Sequence, residues 1–210
     1  MSMIGGAPPG KKSEHMIKST YLEGQLLLAM PGMTDQRFDR SVIYICSHNE
    51  EGAMGLVINE KASNIDFPDL MDQLNIPYDA QKSQGNPNPT DDIILHTGGP
   101  VEIGRGFILH SADYVQDTTL IISETVALTA TIDILSAIAE GRGPRHYIIA
   151  LGYTGWGKGQ LESELSRNSW LNTEADSELL FRTDLDLKWP RAMAKLGIDI
   201  TLLSTHAGNA

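Results

Sequence analysis

Short apolar runs separated by polar turns fill the first half of the chain and predict β-strands. Residues 26–30 end at a Pro-Gly pair, which is typical of a buried strand leaving into a turn. Residues 41–46 and 55–59 are rich in β-branched side chains. The polar segment SHNEEGAM lies between them, so they are predicted to pair as an antiparallel hairpin. Further strands are predicted over residues 93–95, 106–110, 119–122 and 147–151.

Helical periodicity is concentrated after residue 125. The clearest pattern covers residues 125–140, where apolar side chains recur at helical spacing until Gly141 can stop the helix. Before it, Asp66 can cap a short helix over residues 67–74, and Pro68 suits its first turn. Shorter helices are predicted over residues 160–167, 177–181 and 189–196, and residues 198–203 are predicted to form an edge strand.

The order of these elements predicts the fold class. Strands with hairpin spacing precede residue 125, and mostly helices follow, which favours an α+β domain on a mixed, largely antiparallel sheet flanked by four or five helices. A doubly wound parallel fold fits less well, because strict strand–helix alternation is missing. We predict one domain over residues 21–203. A disordered leader is expected over residues 1–20, a mobile surface loop over 78–92 and a flexible tail over 204–210.

Composition limits the kinds of partner that the protein can bind and the cellular compartment in which it is expected. The 210 residues include 27 acidic and 16 basic side chains, a net charge of −11, which disfavours binding to nucleic acid or to anionic membranes. The single cysteine, Cys46, excludes an intrachain disulfide and fits a reducing compartment. No apolar run reaches the roughly 18 residues typical of a membrane span, and the N-terminal segment lacks a secretory apolar core. We therefore expect a cytoplasmic protein.

The most informative stretch is HYIIALGYTGWGKGQLESELSRNSWL, residues 146–171, which predicts a strand, a glycine-rich loop and a helix. Such an arrangement can place backbone N–H groups around an anion. It spells G-x-x-x-x-G-K, but the next position is Gly where a nucleotide triphosphatase needs Ser or Thr to hold magnesium. A structural turn is the leading interpretation. Anion binding is the functional alternative, with candidate residues Gly155, Trp156, Gly157, Lys158 and Gly159.

A second glycine-rich segment, GGPVEIGRG, covers residues 98–106. Its candidate binding residues are Gly98, Gly99 and Arg105, because the guanidinium could fork onto an anionic group. The simpler interpretation is a tight turn between two strands, with Pro100 fixing its direction. If both glycine-rich segments lay on one rim of the sheet, Arg105 and Lys158 would share a pocket.

Two pairs of other reactive side chains carry weaker signals. Cys46 and His48 lie two apart and would face the same side of a strand, but Cys46 sits in an apolar run and is expected to be a buried core residue. His96 and His110 could face each other across a hairpin and bind a metal, yet two imidazoles fall short of the usual ligand number. Ordinary hydrogen-bonded histidines are the favoured interpretation.

The remaining carboxylates offer no further chemistry. Glu162 and Glu164 lie two apart on a predicted helix and so point to different faces, which gives no obvious acid/base pair. No metal or cofactor is predicted for this chain.

Three stretches occur in an order and with a spacing that resemble the YqgE/AlgH-like family of bacterial proteins. They are GQLLLAMPGMTDQRFDRSVIYICSHNEEGAMGLVIN at 24–59, HTGGPVEIGRGFILH at 96–110, and LGYTGWGKGQLESELSRNSWL at 151–171, the last followed by ELLF at 178–181. The combination of GGPV, a glycine–Trp–glycine segment running into GQLE, and Asn168 two residues before Trp170 is specific. The chain departs from the family in its polar leader and near residues 85–90.

The resemblance implies a single α+β domain whose sheet curls into a partly closed, barrel-like body. Some members carry the label of transcriptional regulator, and the family has no accepted catalytic residues to carry over. We therefore expect a noncatalytic domain that binds a protein partner or a small anionic ligand. Direct DNA reading is disfavoured by the charge and by the lack of a helix-turn-helix pattern. The alternative is an enzyme or phosphate-ligand binder using the glycine-rich loop with Lys158 and Arg105.

Overall fold

A computed structural model describes residues 21–33, 35–78 and 93–203. The predicted leader over residues 1–20, most of the predicted loop over 78–92 and the tail over 204–210 lie outside the described residues. The extent of the single domain stays a prediction.

Within the described residues, nine strands join into one sheet. Its order is β6-β7-β5-β8-β3-β2-β1-β9, and β4 pairs with β8 in parallel while the other pairings are antiparallel. The mixed, largely antiparallel sheet is confirmed. The strands are β1 (Gln25–Ala29), β2 (Val42–Asn49), β3 (Gly52–Val57), β4 (Leu95–Thr97), β5 (Val101–Ser111), β6 (Leu120–Ile121), β7 (Val126–Thr129), β8 (Tyr147–Gly157) and β9 (Trp170–Glu174).

The sheet curls into a half-barrel flanked by helices, which confirms the predicted α+β class. A single 3₁₀ turn, Gln36–Phe38, interrupts the β1–β2 connection, and a π-helical turn, Glu178–Arg182, precedes the penultimate helix. The α-helices of the described residues are α1 (Phe67–Gln73), α2 (Ile132–Ala139), α3 (Gln160–Ser166), α4 (Leu185–Lys195) and α5 (Ile200–Leu203).

Both faces of the sheet are covered at β1, which explains its unbroken apolar run. Successive side chains on a strand point to opposite faces. Leu26 and Leu28 of β1 belong to one core cluster, whereas Leu27 and Ala29 belong to another, and all four are fully buried. The run reads LLLA without polar alternation because neither face meets water.

Two predicted elements are wrong, and sheet pairing explains the first of them. Residues 126–129 form β7 against β5 instead of starting a helix, and α2 begins only after Thr131, whose backbone is extended. The predicted edge strand over 198–203 is partly helical, as α5. β9, which pairs with β1 through five residues, was not predicted from the sequence.

Candidate functional site

The glycine-rich stretch is a strand, so the loop predicted from its sequence is wrong. β8 continues through Gly157, and residues 154–157 pair with β3. Only Lys158 and Gly159 separate β8 from α3, and Gly159 adopts the left-handed conformation, φ 71°. The stretch therefore forms no long loop wrapped around an anion.

Gly98, Gly99 and Gly152 are required by the close approach of two backbone segments. A Cβ at Gly98 would lie 2.2 Å from the carbonyl oxygen of Gly152, and one at Gly99 would lie 2.3 Å from the carbonyl of Tyr153. Gly152 itself has φ 72°, and a Cβ there would lie 2.5 Å from the carbonyl oxygen of Gly99. Packing of the β4–β5 connection against β8 accounts for these glycines.

Arg105 lies in an irregular part of β5, where the register against β8 shifts between Val101 and Gly106. Its Nη1 atom is 3.0 Å from Glu102, and its guanidinium lies 4.9 Å from the ring centre of Phe107. Arg105 lines an open cavity of about 550 Å³, the Arg105 groove, on the side of the sheet that carries Phe107 and Tyr153. Its lining residues are Ser47, Asn49, Glu51, Gly52, Ala53, Met54, Arg105, Phe107, Tyr153, Gly155 and Trp156.

Lys158 lies near this groove without lining it. Its ammonium is 3.7 Å from Glu51, which does line the groove, and both side chains are largely exposed. Arg105 and Lys158 thus each already lie beside a carboxylate, which weakens the attraction of either side chain for an external anion. Their joint use as one binding site stays a prediction.

A second cavity, the tryptophan pocket, shares Gly155 and Trp156 with the Arg105 groove but is otherwise lined by different residues. Tyr153 and Trp156 point to opposite faces because their positions differ by an odd number, and they belong to different core clusters. The pocket encloses about 330 Å³ between β8, α3, the start of β9 and the β1–β2 connection. Its lining residues are Met33, Asp35, Arg37, Phe38, Pro100, Val101, Thr154, Gly155, Trp156, Gln160, Glu164, Arg167, Ser169 and Trp170.

Glu164 organises the inner polar groups of this pocket. Its Oε2 accepts hydrogen bonds from the indole nitrogens of Trp156 and Trp170, at 2.9 Å and 2.8 Å, and its Oε1 accepts one from the Gln160 amide at 2.9 Å. Gln160 in turn accepts from the backbone N–H of Gly157 at 3.1 Å. This carboxylate joins β8, α3 and β9, so its role in the structure is architectural.

The aromatic rings of the pocket meet edge to face. The ring centres of Trp156 and Trp170 are 6.0 Å apart with an interplanar angle of 81°, and Phe38 meets Trp170 at 5.7 Å and 67°. Trp156 and Trp170 are only 7% and 2% exposed, whereas Phe38 is half-buried. The wall is therefore rigid on the tryptophan side and open at Phe38.

Two arginines stand at the rim. Arg37 is held by Asp35, with its Nε 3.0 Å and its Nη2 2.7 Å from the two carboxylate oxygens. Arg167 donates from Nε to the carbonyl of Ser163 and from Nη2 to the Ser163 hydroxyl, at 3.1 Å and 2.9 Å. Both guanidiniums are thus fixed through Nε and Nη2.

Cys46 and His48 do not form a catalytic pair. Cys46 is fully buried, and burial raises the pKa of its thiol, so it carries no reactive thiolate. His48 accepts the Leu22 backbone N–H at Nδ1, 3.0 Å away, which leaves the proton on Nε2 to be donated to Glu162 at 2.9 Å. The imidazole therefore links the backbone just before β1 to α3.

His96 and His110 do not face each other across a hairpin, because β8 separates β4 from β5. His110 donates from Nδ1 to the carbonyl of Ser111 and accepts the Thr129 hydroxyl at Nε2, both at 2.9 Å. His96 is buried without a partner for Nδ1, and burial lowers its pKa to about 4. Among the described residues, no three His, Cys, Asp or Glu side chains gather where they could hold a metal ion.

The sequence identified one part of the tryptophan pocket and missed the rest. Gly155 and Trp156 were candidate residues and line it, whereas Arg37, Glu164 and Arg167 were not proposed as binding residues. In retrospect, the position of Glu164 between two tryptophans along the chain is a signal in the sequence. The contribution of the β1–β2 connection has no local signal.

The fold and cavity define a small α+β protein with a curled, largely antiparallel sheet and an aromatic pocket on one face. A family model described as AlgH-like matches residues 26–201, which is most of the chain. The chain belongs to the AlgH-like family.

Relatives and solved structures agree with this assignment. The UPF0301 protein blr1492 of Bradyrhizobium diazoefficiens is 49% identical, covering 97% of this chain and all of the relative. A UPF0301 protein of Methylobacterium nodulans is 51% identical, covering 91% of each chain. The solution structure of the AlgH protein from Pseudomonas aeruginosa matches with a TM-score of 0.72 at 40% identity, covering 91% of this chain and 97% of that one.

A more distant structure shares the fold alone. The crystal structure of protein DIP2367 from Corynebacterium diphtheriae matches with a TM-score of 0.63 at 19% identity, covering 88% of this chain and 92% of that one.

No helix in the described part of the chain is long and apolar enough to cross a bilayer.

Proposed function

We propose that this protein is a noncatalytic domain that binds a small molecule in the tryptophan pocket. The supporting observation is that aromatic rings and hydrogen-bond donors line this cavity, while the carboxylates in it are already hydrogen-bonded within the protein. Glu164 accepts from three side chains and Asp35 is paired with Arg37. Neither carboxylate is poised as a general acid or base.

The dimensions of the pocket favour this proposal. A volume of about 330 Å³ lies at the lower end of the roughly 300–1,000 Å³ typical of small-molecule sites. Its lining combines the aromatic rings of Phe38, Trp156 and Trp170 with polar side chains, several of which are held by hydrogen bonds within the protein.

The proposal extends to regulation through a protein partner. Binding at this pocket would act on α3 and on the β1–β2 connection, since both contribute to its walls. The net charge of −11 opposes direct contact with DNA, so a protein is the partner that we propose. The label of transcriptional regulator that the family resemblance implies for some members is compatible with this role.

A fragment screen on the full chain tests the proposal, with NMR shifts of the Trp156 and Trp170 indole N–H groups as the readout. We expect hits that shift these resonances and that are lost in Ser169→Phe, whose ring would fill the cavity. Ser63→Phe, at an exposed site outside the pocket, is the matched control and should keep the hits. Turnover of phosphoesters, acyl esters or nucleotides that a single substitution abolishes would contradict the noncatalytic assignment.

A second candidate function is phosphate binding or catalysis at the Arg105 groove. It is favoured by the position of Arg105 in a cavity of about 550 Å³ with Lys158 nearby. A phosphate titration followed by amide shifts tests it. Shifts confined to residues 98–106 and 152–160 that disappear in Lys158→Ala would support it, and unchanged spectra would exclude it.

A further inference from the structure

We infer that the ligand of the tryptophan pocket is a planar small organic molecule carrying a carboxylate. This inference rests on the proposed ligand-binding function and adds the chemical class of the ligand. It follows from the hydrogen-bonding capacity that the pocket leaves open, from the shape of its walls and from its charges.

Most side-chain hydrogen-bond acceptors that line the pocket already accept a hydrogen bond from another group of the protein. Both oxygens of Glu164 accept from side-chain N–H groups. Both oxygens of Asp35 accept from the guanidinium of Arg37. The side-chain oxygen of Gln160 accepts from Gly157. A ligand that approaches as a hydrogen-bond donor or a cation would have to compete with these contacts.

The donors, in contrast, remain available. Arg37 and Arg167 each use Nε and Nη2 in the contacts given above, and within the described residues neither Nη1 has a hydrogen-bond partner. The Ser169 hydroxyl, which also lines the pocket, has none in the same part of the chain. A guanidinium held in place by its own neighbours is well prepared for a carboxylate, because little side-chain entropy is left to lose.

Charge makes Arg167 the main anchor. The Arg37 charge is neutralised by Asp35 at 2.7 Å, whereas among the described residues Arg167 forms no ion pair. Charge-assisted hydrogen bonds are about twice as strong as neutral ones. The ligand carboxylate is therefore expected to bind Arg167 first, with Arg37 as a second donor.

The shape of the pocket walls favours a planar ligand. Phe38 and Trp170 meet at 67° and Trp156 and Trp170 at 81°, so flat rings bound the cavity on adjacent sides. A planar ligand ring can stack against the half-buried Phe38 or lie edge-on to it. A branched aliphatic ligand would leave the space between these rings unfilled.

The test compares three probes on the full chain by NMR: 2-naphthoate, its neutral counterpart 2-naphthamide, and acetate. We expect 2-naphthoate to shift the indole N–H resonances of Trp156 and Trp170 and to bind about tenfold or more tightly than the amide. Acetate, which lacks the planar body, should bind more weakly than 2-naphthoate.

Two variants test whether Arg167 binds the ligand carboxylate. Arg167→Gln should weaken 2-naphthoate about tenfold and leave 2-naphthamide unchanged. Arg145→Gln is the matched control, because Arg145 is 83% exposed beside Asp113, away from the pocket; it should leave both affinities unchanged.

The outcomes separate this inference from the proposed function. If 2-naphthamide binds as tightly as 2-naphthoate at the indoles, or if Arg167→Gln has no effect, the ligand class is wrong while the pocket remains a ligand site. If none of the probes shifts the indoles at millimolar concentration, the inference is overturned, and the fragment screen decides the function separately.

Discussion

Gly98 and Gly104 lie close together in the chain but in different surroundings. A Cβ on Gly98 would meet the carbonyl oxygen of Gly152 at 2.2 Å, whereas nothing lies within 4 Å of a Cβ on Gly104. Sequence alone gives both the same description, a glycine in a glycine-rich segment. The contact that separates them comes from β8, a strand that follows about fifty residues later.

Gly98→Ala should therefore lower the free energy of unfolding by about 2 kcal/mol or more, because the backbone must move to relieve the overlap. Gly104→Ala should change it by less than about 0.5 kcal/mol. Urea unfolding of both variants measures the difference. Equal effects would show that the close approach of the β4–β5 connection to β8 is wrong.

His96 gives a prediction of pH dependence. Burial lowers its pKa in the folded protein to about 4, while an imidazole in the unfolded chain has a pKa near 6.5. The unfolded chain therefore binds the proton first, so the contribution to stability is complete above about pH 6.5 and is lost as pH falls towards 4. The loss amounts to about 3 kcal/mol at most.

Urea unfolding between pH 7.5 and 4.5 should show this loss in the wild type and a shallower slope in His96→Gln. Imidazole ¹⁵N shifts should show a neutral His96 at pH 5.5. A ring that titrates near pH 6.5, or identical slopes in the two proteins, would mean that His96 is not buried as described.

Among the elements, β8, α3 and β9 act as a unit because Glu164 bonds to tryptophans on both strands. Their sequence predicted α3 and the first half of β8 correctly. It failed for residues 152–157, because glycines that usually mark loops here permit close packing inside a sheet. It failed for residues 126–129 because so short a run, VALT, fits the spacing of a helix as well as that of a strand, and only pairing with β5 decides between them.

Glu164→Ala should destabilise the protein by about 2–4 kcal/mol, since two nearly buried indole N–H groups lose their acceptor. The indole resonances of Trp156 and Trp170 should both move in the NMR spectrum. Glu124→Ala, at an exposed position, is the control and should leave stability within about 0.5 kcal/mol. A stable Glu164→Ala variant with unmoved indole resonances would contradict the hydrogen bonds assigned to this side chain.

At the scale of the whole molecule, the second half of the chain holds the first half together. β8 pairs with β3, β4 and β5, and β9 pairs with β1. These long-range pairings could not be read from the sequence, since local patterns predict strands but not their neighbours. For the same reason the sequence identified only Gly155 and Trp156 of the tryptophan pocket and could not bring Arg37 and Arg167 to it from distant parts of the chain.

A fragment ending at residue 125 should accordingly be unfolded, because it lacks the central strand β8. Circular dichroism of the fragment over residues 21–125 should show no cooperative thermal transition, whereas the full chain should show one. A folded, protease-resistant fragment would contradict the single-domain prediction.

The place where a bound ligand touches the protein tests the central claim most directly. Intermolecular NOEs measured between 2-naphthoate and the aromatic protons of the full chain would locate it. We predict contacts to Phe38, the half-buried ring that lines the tryptophan pocket and not the Arg105 groove. Contacts to Phe107 and Tyr153, which line the Arg105 groove and not the tryptophan pocket, would place the ligand in that groove and would contradict the account.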